Sequence, residues 1–207
     1  LVEMKGILWE AETLGAEFDV AIASGTDIND ASMSEEDCRR AYEAAQQAVI
    51  TSADATPIEA ALAGAIVARY AWPPPEDRTS LDEDYATAMR AVYEAFPDDP
   101  DVATLYADSL MLLQPWDYWT PELEPKGRVM EAIAALEAAR VIDPDHAGAC
   151  HFLIHATEAA YPERGEEAAD RLAERVPGAG HLLHMPSHIY VHVGRYADAS
   201  DANERAI

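Results

Sequence analysis

Apolar and small residues recur at three- and four-residue spacing along most of the chain, the period of helices that bury one face, and strict alternation is nearly absent. This pattern predicts ten helices, near residues 5–23, 35–52, 57–71, 81–96, 100–113, 126–142, 145–160, 163–175, 181–193 and 197–207. Start signals support it: Ser or Thr stands three residues before an acid at Ser34/Asp37, Thr56/Glu59 and Ser80/Glu83, where a hydroxyl caps a backbone N–H and the acid reaches back. Pro57 and Pro100 follow Thr56 and Asp99 at the first helical position, where a missing N–H costs nothing. Frequent Ala favours closely packed helices over strands. The one competing segment is His188 to Val193, where Ile189, Val191 and Val193 alternate with His188, Tyr190 and His192; the helical reading is preferred there. The fold class expected is all-α.

Composition narrows the partners. The 207 residues are 49% hydrophobic and 26% charged, a globular mix long enough to bury a core without disulfides or metals. Fourteen basic side chains face 39 acidic ones, a formal charge of −25, so nucleic acid and anionic membranes are repelled almost everywhere. No run approaches the roughly 18 apolar residues of a membrane span. Cys38 and Cys150 match no CxxC spacing; both read as small core residues in a reducing compartment, which with the missing basic and apolar leader gives a cytoplasmic expectation. The chain opens at Leu1 without Met and stops at Ile207 inside a predicted helix, so it is expected to be a piece of a longer protein.

A repeat register runs through the second half. Ala88, Ala95 and Pro100 have the spacing of Ala132, Ala139 and Pro144, and Ala199 and Ala206 start the pattern again, placing a further proline just beyond Ile207. Pro144 to Pro177 is 33 residues, close to the roughly 34-residue period of tetratricopeptide repeats. With Tyr190, Gly194, Tyr196, Ala199 and Ala206 at signature positions, residues 81–207 resemble that repeat family, and residues 1–80 resemble it as degenerate hairpins. The segments PWDYW (115–119), HFLIHATE (151–158) and GHLLHMPSHIYVHVGRY (180–196) also look like the signatures of a group of bacterial proteins carrying this repeat. The resemblance implies one continuous α-solenoid of about five helical hairpins, in which neighbours share a core because no hairpin buries its apolar faces alone. It also implies a concave face lined mainly by the first helix of each pair.

Six of the seven histidines fall in two short windows in the same register. His151 and His155 lie 7 and 11 residues after Pro144; His184 and His188 lie 7 and 11 residues after Pro177. On an ideal helix His151, His155 and Glu158 span about 60° of arc, and His181, His184, His188 and His192 about 80°. The resemblance places both sets on the concave face, and helices packed 8 to 10 Å apart let imidazoles from two sides nearly meet. HxxxH pairs suit a borderline divalent metal because both neutral rings approach from one side. The expected ligands are therefore His151, His155, His184 and His188, with Glu158, His181 and His192 as supporting or alternative ligands. Zinc is the first choice, with copper, nickel and iron within imidazole chemistry. Glu158 is also the candidate general base if the site is catalytic and metal-dependent. The competing reading is a scaffold that holds a peptide or partner protein in the groove without metal. A kink at Pro186, which removes a helix hydrogen bond and disfavours helical geometry at Met185, would rotate His181 and His184 relative to His188.

Other motifs carry less. PWDYW stretches the Pro100 to Pro144 interval to 44 residues and reads as an insert, either covering a hairpin end or walling a groove. Asp98, Asp99 and Asp101 lack the spacing and glycine of a calcium loop and read as capping around Pro100. HExxH, GxSxG, GxxxxGK[ST] and GxGxxG are absent, which removes the activities that depend on them.

Overall fold

A computed structural model of the chain describes residues 12–30, 32–175 and 179–207. Those residues form helices α1 (Glu12–Ala23), α2 (Glu35–Thr51), α3 (Pro57–Ile66), α4 (Thr79–Ala95), α5 (Pro100–Met111), α6 (Val129–Ile142), α7 (Ala147–Thr157), α8 (Pro162–Arg175), α9 (Gly180–His184), α10 (Pro186–His192) and α11 (Tyr196–Arg205). Among the described residues there is no β-strand, only an isolated bridge between Trp119 and Pro125. The His188–Val193 segment that could alternate as a strand is helical through His192. Ten predicted helices become eleven because the 181–193 helix is divided at Met185, ahead of Pro186.

Capping explains most of the helix starts. Ser34 accepts the Asp37 N–H to open α2, and Thr56 with Glu59 forms a complete capping box ahead of Pro57 on α3. Asp99 Oδ1 accepts the Val102 N–H (2.9 Å), so the acidic cluster at Pro100 is a cap. The Ser80/Glu83 start needs correction. Helix α4 begins two residues earlier, at Thr79, because Asp77 Oδ1 takes both the Thr79 N–H (2.9 Å) and its hydroxyl (2.6 Å) and turns the chain there.

The chain divides into two compact units. The first comprises Leu1–Pro97 with Leu112–Trp116; the second, Asp98–Met111 with Asp117–Ile207. In the first unit α1 packs on α2 and α3 on α4, around Phe18, Leu62, Ile66, Tyr85 and Met89. In the second α5 packs on α6, α7 on α8 and α10 on α11, so five helical hairpins run along the chain. Ala132 and Ala139 are fully buried, as expected of small residues where helices touch, and Ala199 is nearly so. The first copy of the register differs: Ala88 is half-buried and Ala95 exposed, so their spacing there is not imposed by helix contact. Pro177, the anchor of the later register, lies outside the described residues. Cys150 is buried, whereas Cys38 is only half-buried on α2, a correction to its reading as a core residue.

The end of the insert, from Asp117, packs within the second unit. Tyr118 is buried, and Trp119 donates its indole N–H to the Ala156 carbonyl (3.1 Å) while meeting the Tyr161 ring edge-on at 5.2 Å. The insert thus braces the end of α7. Helix α8 is tied outward by Arg164 to Glu137 (2.7 Å), Arg171 to Asp145 (2.9 Å), and Arg195 to both Glu166 and Asp170 (3.0 and 2.8 Å).

Candidate functional site: a histidine and glutamate cluster

Helix α7 is buried on nearly every side, and His151 and His155 lie within the core of the second unit at 6% and 3% exposure. Its start is fixed by a third histidine: His146 Nδ1 accepts the Ala149 N–H (3.0 Å), and its Nε2 meets Asp101 Oδ1 (2.8 Å). Both nitrogens of His146 are thereby used structurally. Nothing in its sequence context distinguished this capping role.

The second window arrives on two short helices. Pro186 cannot donate a backbone N–H, and α9 ends at His184; Met185 nonetheless keeps right-handed helical angles (φ −52°, ψ −40°) despite preceding a proline. His181 and His184 therefore sit on α9, and His188 on α10. Gly165 of α8 lets these elements approach, since a Cβ there would stand 2.6 Å from Ile189 Cδ1 of α10 and 2.7 Å from Thr157 Oγ1 of α7.

Rings from the two windows meet. His151 and His181 face each other Nε2 to Nε2 at 3.1 Å, and the His155 ring centroid is 4.9 Å from that of His151 and 5.7 Å from that of His188. Donor atoms converge in two groups: His151, His155 and His181 in one, and His155, Glu158 and His188 in the other, each with its ligand atoms within 4.8 Å of one another. His184 belongs to neither group; its Nε2 lies 2.9 Å from His188 Nε2 and its Nδ1 lies 2.5 Å from Asn203 Oδ1. Among the sequence candidates, then, His151, His155, His181, His188 and Glu158 come together, His184 borders them through His188, and His192 is exposed on α10. Asn203 is the member that sequence reasoning missed. Its signal would have been an amide on α11, one hairpin helix away.

Electrostatics sort the roles. Burial raises the Glu158 carboxyl, but the nearby His155 and the hydrogen bond from His188 outweigh it and hold the group down at about 2. Glu158 is therefore an anion, and an anion only accepts, so His188 Nδ1 must donate to its Oε2 (2.6 Å). Nε2 is then the nitrogen of His188 left to bind a metal. Burial, followed by the neighbouring His155, His181 and His188, drives His151 well below the ordinary imidazole range, so its ring is neutral at pH 7. His151 Nδ1 is buried without a hydrogen-bond partner.

No protein-family model matches the chain, and no curated protein is significantly similar in sequence. Solved structures are similar in fold. "Crystal structure of MamA" superposes with a TM-score of 0.54 at 13% identity, covering 83% of this chain and 87% of that one. "Crystal structure of MamA protein" gives 0.53 at 13% identity over 94% and 90% of the two chains, and "MamA MSR-1 C2" gives 0.51 at 15% over 94% and 92%. At such identities the likeness is one of backbone: the chain has an all-α, tetratricopeptide-like helical-repeat fold.

Proposed function

We propose that this chain is a tetratricopeptide-like binding module that holds a divalent transition metal, zinc in the first instance, in its histidine and glutamate cluster. The observation that carries the reading is the convergence of His151, His155 and His181 from α7 and α9, with donor atoms mutually within 4.8 Å. Two imidazole nitrogens on one tetrahedral ion, each bonded at 2.0–2.1 Å, stand about 3.3 Å apart. The His151 and His181 Nε2 atoms, at 3.1 Å, already have nearly that spacing. Three imidazoles beside the Glu158 anion suit a borderline cation and leave a fourth position for water or for a group on a partner.

Glu158 enters this reading as an anionic neighbour that orients His188 and adds negative charge near the ion. A carboxyl held at about 2 is too weakly basic to serve well as a general base near neutral pH, so catalysis is not part of the proposal. Competition for zinc between the full chain and a chromophoric chelator tests it. Wild type is expected to withdraw zinc, and His151→Ala and His155→Ala to lose that affinity while keeping the helical circular dichroism. Wild type that withdraws no zinc would leave the metal-free peptide scaffold as the reading.

A further inference from the structure

The cluster has more donors than one tetrahedral ion uses. Five imidazoles and one carboxylate make six candidate residues, and a tetrahedral ion takes four ligands. They also pinch together at two separate places. One is the His151–His181 approach at 3.1 Å; the other is the His184–His188 approach at 2.9 Å, and the two share no residue.

We propose that His184 and His188 form a second metal position, distinct from the one at His151, His155 and His181. The inference rests on the reading of the cluster as a metal site. Its basis is the way each ring is anchored. His188 Nδ1 donates to Glu158 Oε2 at 2.6 Å, and His184 Nδ1 stands 2.5 Å from Asn203 Oδ1, an acceptor. With both Nδ1 atoms donating, Nε2 is the nitrogen of each ring whose lone pair is left for a proton or a metal. Those two nitrogens face one another at 2.9 Å, a gap that a shared proton fills in the metal-free chain and that a metal cation can take over. Oxygen acceptors on the far nitrogens are how metal-bound imidazoles are usually fixed in tautomer and orientation. Opening the gap by a few tenths of an ångström gives the roughly 3.3 Å spacing of a tetrahedral pair.

The two positions differ in ligand number. His151 and His155 are buried in α7 and joined by the exposed His181, whereas His184 and His188 are half-buried and supply only two rings. Two protein ligands leave at least two coordination places to water, so the outer ion is the weaker and more exchangeable one. The ligand class is a divalent imidazole-seeking cation, such as Co(II), Ni(II) or Zn(II).

The test is a titration of the full, metal-freed chain with Co(II), followed by the visible absorption of the bound ion and by calorimetry. Two equivalents are expected, the second at least tenfold weaker. His184→Ala should abolish the second equivalent and leave the first, and His151→Ala should do the reverse. Asn203→Ala should weaken the second by about 10- to 100-fold, the usual effect of removing such an anchor. Asn203→Asp, a stronger acceptor, should tighten it. Weakening in Asn203→Asp would mean that the amide donates to His184 Nδ1, which overturns the lone-pair argument. A single equivalent insensitive to His184→Ala overturns the second position and leaves the first. A single equivalent lost in both His151→Ala and His184→Ala means one ion that needs His184 as well as His151, which also overturns it. No bound Co(II) at all removes the metal reading itself.

Discussion

Glu158 lies close enough to His155 and His188 that they hold its carboxyl ionised, and this gives the metal-free chain a defined acid sensitivity. Glu158 titrates at about 2 when folded against a usual 4.5, so between those values the unfolded chain binds the extra proton. Its contribution is full above about 4.5 and is lost as pH falls towards 2. The urea midpoint of Glu158→Gln should therefore lie below that of wild type at pH 6 and converge with it near pH 2.5; a gap independent of pH would contradict the assignment. His146 makes a separate prediction. Removing the α7 cap in His146→Ala should cost about 1 kcal/mol by denaturant titration, without the loss of zinc affinity that His155→Ala shows. At this scale the sequence disclosed the two HxxxH pairs through their shared register, because spacing alone fixes a helix face. Spacing could not show that His181, rather than His184, would meet His151, since that depends on where the chain passes Pro186 and how α9 lies against α7.

Elements were legible where local chemistry sets them. The starts of α2, α3 and α5 follow from caps and first-turn prolines that need only a few neighbouring residues. Helix α4 started early because Asp77, two residues before Thr79, offered a competing acceptor. The contact that brings the histidine helices together was not legible, since Gly165 reads in the sequence only as a weak helix former. In the structure it is where α8 lies against both α7 and α10. Gly165→Ala gains up to about 1 kcal/mol of helix propensity. Its methyl, however, meets Ile189 and the Thr157 hydroxyl, which already bonds the Leu153 carbonyl at 2.6 Å. Overpacking of this kind costs about 1–3 kcal/mol, so a net loss of stability is expected in thermal unfolding. A drop in zinc affinity should accompany it, because α7 and α10 are driven apart. Unchanged affinity would show that the site adapts to the spacing of its helices.

Across the whole molecule the all-α class and the five hairpins follow from periodicity, a property repeated along the sequence and hard to mistake. The division into two units is different: that Leu112–Trp116 clusters with the first unit and the residues on either side with the second depends on tertiary contacts with no local signature. The charge of −25 acts at this scale too. Repulsion among 39 acidic groups should lower the unfolding temperature at low ionic strength, and added sodium chloride should raise it without any change in helix content. Zinc should act more specifically. At a free concentration 100 times its dissociation constant it stabilises by about 2.7 kcal/mol, which for a chain of this size raises the transition of the histidine-bearing unit by roughly 5–10 °C. The central claim, that imidazoles from both windows bind one metal, is tested most directly by zinc-edge X-ray absorption on the full chain loaded with one equivalent. The account predicts a first shell of nitrogen and oxygen at about 2.0–2.1 Å, with the outer-shell scattering of three imidazoles falling to two in His181→Ala. A shell of water and carboxylate oxygen alone, or a spectrum unaltered by His181→Ala, would contradict it.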